Sequence, residues 1–294
     1  MKEPGIPEQR VLPVEKNEKV EEGIFRITLG TVPGLRPPLP GQFYSFRCGE
    51  DSSPLLRRPL SVHRMHEDRG GVRLEFLIRT VGPGTAWLGA RSAGDRVDVL
   101  GPLGNGFDAE GVHRAVLVAR GIGVAPLYAL GESLGRAIPK ERIHVVMGAR
   151  YAERLFLRGE LGALGVLHLY TDDGSEGFRG RAPDLLRHLA ENGTLEGEVA
   201  VFACGPAPML REVAEVAGKR GWEGQAALET HMGCGIGACL SCALPLRPSA
   251  VRTGPRWPKP ALQRTEDGHA AYSLICRDGP VYDLQEVDWD AWCA

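Results

Sequence analysis

The chain has 294 residues, of which 43% are hydrophobic and 24% are charged, and its formal net charge is −2 at pH 7. These values are ordinary for a globular protein of two or three domains, and they argue against a strongly basic surface for nucleic acid or anionic membranes. No stretch approaches the roughly 18 uninterrupted apolar residues of a membrane helix, and the first residues, MKEPGIPEQR, lack the apolar core of a signal peptide. We therefore expect a cytoplasmic protein, in which the seven cysteines need an explanation other than disulfides.

Residues 10–108 have the pattern of β-structure. Short apolar or alternating runs are separated by turn residues such as Pro40-Gly41 and Gly94-Asp95. About six strands at this spacing predict a small antiparallel barrel, to which we assign residues 1–110. One helix-like segment, residues 84–88, interrupts the strands. The strand-like runs are VLPVEKN, GIFRITLG, GQFYSFRC, RRPLSVHRM, VRLEFLIRT and RVDVLGPL.

Beyond residue 112, apolar strands alternate with helical segments, which predicts an α/β domain with a parallel sheet over residues 111–226. The predicted strands are residues 115–120, 144–150, 166–173 and 198–206. The predicted helices are PLYALGESLGRA, ERLFLRGELGALG, PDLLRHLAEN and PMLREVAEVAGKRG.

The third predicted domain, residues 227–294, is short and shows little strand or helix pattern. Its segment 247–268 is rich in proline and polar residues, which predicts an exposed loop. The domain is instead marked by its cysteines and glycines, which indicate that a bound group organises it.

Four of these cysteines have the spacing of a plant-type ferredoxin. Cys234, Cys239 and Cys242 form C-x4-C-x2-C, and Cys276 follows in a strand-like run. Interleaved glycines let such a loop wrap closely and turn its N–H groups toward the cluster. We predict a [2Fe–2S] cluster on these four thiolates. A structural zinc site is the alternative, and Cys293 competes with Cys276 for the role of fourth ligand.

Two segments of the barrel region have the residues of a flavin site. Arg58, Pro59, Leu60 and Ser61 are expected at the end of a barrel strand, where an arginine beside a proline can hold a diphosphate and Ser61 can face the flavin ring. Glycines in the turn before the helix-like segment let N–H groups approach a phosphate; this turn contributes Gly82, Gly84 and Thr85. Taken separately, each segment also fits a plain strand or turn.

The α/β region has a candidate dinucleotide site at the carboxyl ends of its strands. A glycine turn with Gly121 and Gly123 follows the first strand, and Cys204-Gly205 ends the fourth. Cys204 is either a small buried residue or a thiol near the nicotinamide. Asp172 and Asp173 end the third strand, where they can accept ribose hydroxyls and repel a 2′-phosphate, so we predict that NADH is preferred over NADPH.

Together and in order, these motifs resemble the ferredoxin-reductase superfamily, and within it the electron-transfer subunits of two-subunit, NAD-dependent dihydroorotate dehydrogenases. The resemblance covers residues 8–285. Two departures stand out: Arg120 occupies a position where the family usually has glycine, and residues 247–268 are an insertion. The resemblance is carried by RRPLS, VGPGTAWL, GPLGNGF, GIGVAPL, MGARYAERLF, YTDDGSEGFRG, ACGPAPML, ETHMGCGIGACLSC and CRDGPVY.

This resemblance implies three cofactors and a partner. The barrel would bind FAD, the α/β domain NAD(H) and the C-terminal domain a [2Fe–2S] cluster. The partner would be an FMN-containing dihydroorotate dehydrogenase catalytic subunit, in a heterotetramer. Electrons would pass between NADH and the cluster through FAD, and we find no acid–base or nucleophilic constellation in the sequence.

The alternatives are an NAD(P)H reductase serving another acceptor, such as a ferredoxin, a hydrogenase or a sulfur-metabolising subunit, and a redox sensor without nucleotide binding. We expect His63, His66 and His231 to be surface or loop residues.

Overall fold

The computed structural model describes residues 7–35, 37–49, 53–247, 263–264 and 271–293. It contains a closed barrel, a larger and mostly parallel sheet, and a small C-terminal sheet. Most of the segment 247–268, which we predict to be an exposed loop, lies outside the described residues.

The closed barrel is antiparallel, as the alternating sequence pattern predicts. Its strands are β1 (Glu8–Glu21), β2 (Ile24–Val32), β3 (Phe43–Phe46), β4 (Arg58–Asp68), β5 (Gly71–Arg79) and β6 (Arg96–Leu103), and the short helix α1 (Pro83–Gly89) follows β5. Their order around the barrel is β1-β2-β5-β4-β3-β6. In β5, Val72, Leu74, Phe76 and Ile78 occupy alternate positions and are buried in the barrel core, because successive side chains of a strand point to opposite faces.

The second sheet has strands β7 (Ala115–Arg120), β8 (Ile143–Ala149), β9 (Val166–Thr171), β10 (Phe178–Arg179), β11 (Ala200–Cys204) and β12 (Glu223–Ala227). Its helices are α2 (Val124–Leu134), α3 (Arg158–Leu164), α4 (Ala182–Glu191) and α5 (Ala207–Arg220). The order of these strands is β10-β9-β8-β7-β11-β12, and their pairings are parallel. Strands β7, β8, β9 and β10 therefore follow one another across one half of the sheet. Strand β11 then pairs with the other side of β7, so the strand order reverses between β7 and β11. The carboxyl ends of β7 and β11 border the switch point, where open α/β sheets form a ligand-binding crevice.

The predicted helix over residues 153–165 is longer than the helix that forms there. In place of one continuous helix, a 3-10 turn at Ala152–Arg154 precedes the short α3. Leu155 between them is extended and buried, and Leu157 has a positive φ of 58°. Glycines in this segment weaken its helix propensity. Burial of the apolar residues before α3 holds them in a non-helical conformation.

The C-terminal region has more regular structure than its sequence pattern predicts. It contains β13 (Ala243–Leu246), β14 (Gln263–Arg264), β15 (Ala271–Leu274), α6 (Ile275–Asp278), β16 (Val281–Asp283) and α7 (Trp289–Trp292). β13, β15 and β14 form an antiparallel sheet, whereas β16 pairs antiparallel with β12 and becomes the seventh strand of the larger sheet. These strands are short and their partners are distant in sequence, so a local pattern does not reveal them.

One side chain connects the end of the barrel to the C-terminal region. The Asn105 amide donates to the carbonyl oxygens of Asp278 and Val281 at 2.9 and 3.1 Å, and its oxygen accepts from the Val281 N–H at 3.0 Å. The sequence GPLGNGF that ends the barrel therefore also holds the start of β16. Among the described residues, no helix is long and apolar enough to cross a membrane.

Candidate functional site

The predicted flavin motif forms one wall of a cavity of about 260 Å³. Arg58, Pro59, Leu60 and Ser61 are half-buried and line this cavity. They lie at the start of β4 and not, as the sequence pattern predicts, at the end of a strand, because the strand continues beyond them to Asp68 in its pairing with β5. Pairing with β3 holds them in place, because Ser61 lies opposite Phe43 in the barrel. The motif thus presents a cation, apolar surface and a hydroxyl to the same space, which fits a flavin nucleotide.

The turn before α1 packs against the Arg58 guanidinium. A Cβ atom added to Gly84 would lie 2.9 Å from Arg58 Nε, so glycine allows this close approach. The Thr85 hydroxyl accepts from the N–H groups of Val81 and Gly82 at 2.9 and 3.2 Å and fixes the turn. Gly82 has an extended backbone, and a Cβ there would meet nothing within 4 Å. Of the two predicted glycines, only Gly84 is therefore required by packing.

The neighbouring Arg57 has a structural role. Its guanidinium forms two hydrogen bonds of 2.9 Å with the Asp98 carboxylate and also donates to the carbonyl oxygens of Ser45 and Asp98. Arg57 therefore fastens the start of β4 across the barrel, and Arg58 is the arginine that lines the cavity.

The other walls of the cavity come from parts of the chain that the flavin motifs did not indicate. The dinucleotide loop contributes Ile122, Ala125 and Pro126, and the end of β5 contributes Arg79. The segment that follows β12 supplies further lining residues, namely Leu228, Glu229, Thr230 and Met232. The cavity is therefore built jointly by the barrel, the parallel sheet and the segment leading to the cysteines.

Glu229 is the acidic residue of this cavity. Solvent in the cavity reaches its side chain, yet protein crowds the carboxylate, and this desolvation raises its pKa, with Arg79 acting in the opposite direction. The sequence patterns do not single out Glu229, although it opens the run ETHMGCG. An acidic residue placed directly before a cluster loop was the available signal.

The predicted dinucleotide loop requires glycine for close packing. Gly121 has a positive φ of 55°. A Cβ on Gly123 would lie 2.3 Å from the carbonyl oxygen of Cys204, and a Cβ on Gly205 would lie 3.3 Å from Arg120 Cβ. The ends of β7 and β11 can approach each other only because these side chains are absent. The structure thus brings four of the predicted dinucleotide residues together at the switch point.

Cys204 lies behind this surface. Its side chain is 1% exposed and packs in the core around α2, and it is not among the residues that line the cavity. Burial raises the pKa of its thiol, and the nearby Glu229 charge raises it further. This placement agrees with the small buried residue that we gave as one interpretation, and contact of the thiol with a nicotinamide stays a prediction.

The two predicted ribose-binding carboxylates already have partners. Asp172 accepts two hydrogen bonds from the Arg120 guanidinium, at 2.8 and 2.6 Å. Asp173 accepts from the backbone N–H and hydroxyl of Ser175 at 3.0 and 2.7 Å. Each partner lowers the pKa of the carboxyl group that it contacts. The structure therefore does not present two unpaired carboxylates, and the predicted preference for NADH needs another basis.

The cysteine loop turns backbone N–H groups toward sulfur atoms, as a metal–sulfur cluster requires. The Cys234 sulfur accepts from the N–H groups of Ile236, Ala238 and Cys239 at 3.2 to 3.4 Å. The Gly237 N–H points to the Cys276 sulfur at 3.1 Å. The Cys239 sulfur lies 3.2 Å from the Ser241 hydroxyl, and such hydrogen bonds lower the pKa of its thiol to about 6.

The four cysteines are arranged as two pairs. Cys234 and Cys239 exchange N–H···S contacts of 3.3 and 3.4 Å, and the sulfur atoms of Cys242 and Cys276 lie 3.2 Å apart. Within the described ranges, no three His, Cys, Asp or Glu residues group as ligands of one metal ion. A [2Fe–2S] cluster takes two protein ligands on each of its two irons, so the paired arrangement fits it.

One of the three histidine predictions is wrong. His63 is completely buried, with Nδ1 3.4 Å from the Ala125 carbonyl oxygen and its ring 4.6 Å from that of Tyr128. Burial lowers its pKa to about 3, so the ring is neutral. It connects β4 to α2, a long-range contact that the strand pattern around it does not reveal.

Comparison with known proteins agrees with this arrangement. Residues 229–253 match the model of the iron–sulfur cluster binding domain of dihydroorotate dehydrogenase B, and residues 117–215 match that of the oxidoreductase NAD-binding domain. Among solved structures, that of an NADH-dependent reduced ferredoxin-NADP oxidoreductase superposes with a TM-score of 0.76 at 26% identity, covering 95% of this chain and 90% of the other. A ferredoxin NADP+ reductase from Neisseria gonorrhoeae, at 17% identity, shares the fold with a TM-score of 0.60 over 72% of this chain and 92% of the other.

Two curated relatives fix the family. The dihydroorotate dehydrogenase B (NAD(+)), electron transfer subunit, of Bacillus caldolyticus is 37% identical over 93% of this chain and 96% of its own length. The protein of the same name from Desulforamulus reducens is 36% identical over 87% of this chain and 88% of its own length. The chain therefore belongs to the family of electron transfer subunits of NAD-dependent dihydroorotate dehydrogenase B.

Proposed function

We propose that this chain carries electrons between NAD(H), FAD and a [2Fe–2S] cluster, to or from an FMN-containing dihydroorotate dehydrogenase catalytic subunit in pyrimidine biosynthesis. The observation that carries the proposal is the position of the segment after β12. Met232 lines the flavin cavity, and Cys234, a predicted cluster ligand, follows two residues later. Two residues of chain span at most about 7 Å, so the cavity and the cluster loop are close neighbours.

The lining residues have separate tasks in this proposal. When bound, FAD accepts two electrons as a hydride from NADH and releases them one at a time to a one-electron cluster. Arg58 offsets the charge of the diphosphate, and Pro59 and Leu60 supply apolar surface for the ring. Ile122 and Pro126 bring the dinucleotide loop to the same cavity, which lets the nicotinamide reach the ring and keeps water out.

The exposed residues of the cluster loop support docking of the partner there. Ile236 and Leu240 are 55% and 52% exposed, so neither side chain is packed beneath the loop. Cys239, between them, is also exposed. An apolar surface at the exit of an electron relay suits a docked protein, and we assign the catalytic subunit to it.

The domain limits 1–110, 111–226 and 227–294 are part of the proposal, with one qualification. β16 belongs by sequence to the cluster domain but completes the sheet of the NAD domain, and this pairing anchors the cluster domain on the NAD domain.

We further propose a cytoplasmic location. The seven cysteines all lie in the described residues and none of them forms a disulfide, which suits a reducing compartment.

Reconstitution tests the proposal. The chain, loaded with FAD and cluster, is mixed with the FMN-containing subunit, and NAD+-dependent oxidation of dihydroorotate is measured. We expect a stable complex and an activity that neither component has alone. If NADH reduces the flavin and the cluster but no complex forms, the chain is a reductase that serves another acceptor, such as a ferredoxin, a hydrogenase or a sulfur-metabolising subunit.

A further inference from the structure

An ion pair spans the carboxyl edge of the parallel sheet. Arg120 is the last residue of β7, and Asp172 directly follows β9; β8 lies between these strands. The pair has two short hydrogen bonds, of 2.8 and 2.6 Å, in the side-by-side geometry of an arginine and a carboxylate. The Tyr170 hydroxyl, which donates to Met209 Sδ at 3.7 Å, lies near enough to Arg120 to raise the pKa of the guanidinium together with Asp172.

The pair borders the crevice in which a dinucleotide would bind. Arg120 directly precedes Gly121, and its Cβ lies 3.3 Å from the position that a Cβ on Gly205 would occupy. The Arg120 and Asp172 side chains are 25% and 36% exposed, so a ligand in the crevice can reach both. An acidic residue at this edge is placed to accept ribose hydroxyls, and an unpaired one repels a 2′-phosphate.

We propose that Arg120 sets the dinucleotide specificity of this chain by pairing with Asp172. The inference rests on the proposed NAD-linked function and deepens it. While the guanidinium is in place, Asp172 is neutralised as an ion pair and repels the 2′-phosphate of NADPH only weakly. The same guanidinium can turn to a phosphate, because its planar fork suits phosphate as well as carboxylate. Arg120 therefore reduces the discrimination between NADH and NADPH.

The charges around Asp172 agree with this inference. Arg120 and Arg150 both act on the Asp172 carboxyl as positive charges, and Asp173 acts as a negative one. Two cations and two carboxylates leave the local charge near zero, so the strong repulsion expected from two bare carboxylates is absent. Arg120 differs from Arg150 in making the paired contact, which gives the experiment its matched control.

The test compares Arg120→Ala, Asp172→Asn and Arg150→Ala in the FAD-loaded, cluster-loaded chain. Two quantities are measured for each: the ratio of kcat/KM for NADH to that for NADPH in flavin reduction, and the ratio of Kd values for 2′,5′-ADP and 5′-ADP. We expect Arg120→Ala to raise the NADH:NADPH ratio about 10-fold, because it exposes the Asp172 charge to the 2′-phosphate. Asp172→Asn frees the guanidinium for the phosphate and lowers the ratio. Arg150→Ala changes it less than about 3-fold.

The results also separate this inference from the proposed function. If Arg120→Ala weakens both dinucleotides equally, or shifts the ratio no more than Arg150→Ala, Arg120 does not determine specificity. If Arg120→Ala does not fold, an unchanged ratio in the conservative Asp172→Asn variant overturns the inference. If the wild-type chain is reduced by neither dinucleotide, the proposed function fails, and the two Kd values alone then decide whether Arg120 and Asp172 read the 2′-phosphate.

Discussion

The sulfur atoms of Cys242 and Cys276 lie 3.2 Å apart, although 34 positions separate the two residues along the chain. The pairing of β13 with β15 explains this proximity, because Ala243 next to the first cysteine lies opposite Leu274 near the second. The backbone N–H of Ile275 also donates to the Cys242 carbonyl oxygen at 3.1 Å. Strand pairing thus positions the predicted fourth ligand beside the third, and supports Cys276 over Cys293 in this role.

The first prediction is that Cys239→Ser removes the cluster and leaves FAD bound. Cys239 lies on the exposed loop and does not line the flavin cavity, so its loss should not disturb the flavin. Iron and acid-labile sulfide should fall to near zero, while the flavin absorbance per chain is unchanged. Cys293→Ser is the control and should keep both groups. Zinc in the wild-type protein, without labile sulfide, would contradict the cluster assignment.

The second prediction concerns the packing of α1 on Arg58. Gly84→Ala places a methyl group 2.9 Å from Arg58 Nε and displaces the guanidinium from the cavity wall. We expect FAD affinity to fall about 10-fold or more, since one charge-assisted contact contributes about 1.5–3 kcal/mol. Gly159→Ala in α3 is the control, because a Cβ there meets nothing within 4 Å and the residue does not line the flavin cavity. Titration of flavin fluorescence measures both, and equal losses would refute the role of Arg58.

The third prediction tests the close approach of β7 and β11. In Gly123→Ala the new methyl group would lie 2.3 Å from the Cys204 carbonyl oxygen, so the dinucleotide loop must move. We expect a loss of about 1–3 kcal/mol in stability and slow reduction by NADH, with FAD and cluster contents unchanged. Gly162→Ala in α3, where space is open, should instead be neutral or slightly stabilising. Normal NADH reduction in Gly123→Ala would remove this loop from the proposed site.

Part of this architecture can be predicted because it depends on residues that are close together in the sequence. The alternation in β5 and the continuous apolar run of β7 predict a barrel and a parallel sheet, and the cysteine spacing predicts the cluster. Three predicted segments, namely the flavin motif, the turn before α1 and the dinucleotide loop, meet at the flavin cavity. The dinucleotide loop also borders the crevice between the ends of β7 and β11. Two features depend instead on which strands become neighbours in the folded sheet. They are the contact of Arg120 with Asp172 and the position of Glu229 in the cavity. The same holds for β16, which is too short to stand out and gains stability only by pairing with β12.

The fourth prediction uses the raised pKa of Glu229. The native protein retains this proton to a higher pH than the unfolded chain, whose carboxyl titrates near 4.5. Stability is therefore lost as the pH rises from about 4.5 through the native pKa, and it is constant above it. Glu229→Gln should remove this loss, so it should match the wild type at pH 4 and have the higher Tm at pH 8. Glu110→Gln, on the surface, is the control and should follow the wild type throughout. A constant difference in Tm between Glu229→Gln and wild type at both pH values would refute the assignment.

The last prediction tests the docking surface at the cluster loop. Ile236→Ser removes an apolar side chain that is 55% exposed, and Leu240→Asn does the same at a residue whose left-handed φ of 61° asparagine tolerates. Neither change touches a cysteine, so NADH should still reduce the flavin and the cluster at the wild-type rate. Affinity for the catalytic subunit should fall about 10-fold for each variant, which is the effect of losing a well-buried interface contact.

Val166→Ser is the control. This residue lies at the start of β9 and therefore at the opposite edge of the sheet from the dinucleotide crevice. The change removes comparable exposed surface and should leave the affinity unchanged. Analytical ultracentrifugation and the coupled oxidation of dihydroorotate measure the two effects. Unaltered affinity in both loop variants, with a functional complex, would show that the catalytic subunit docks elsewhere.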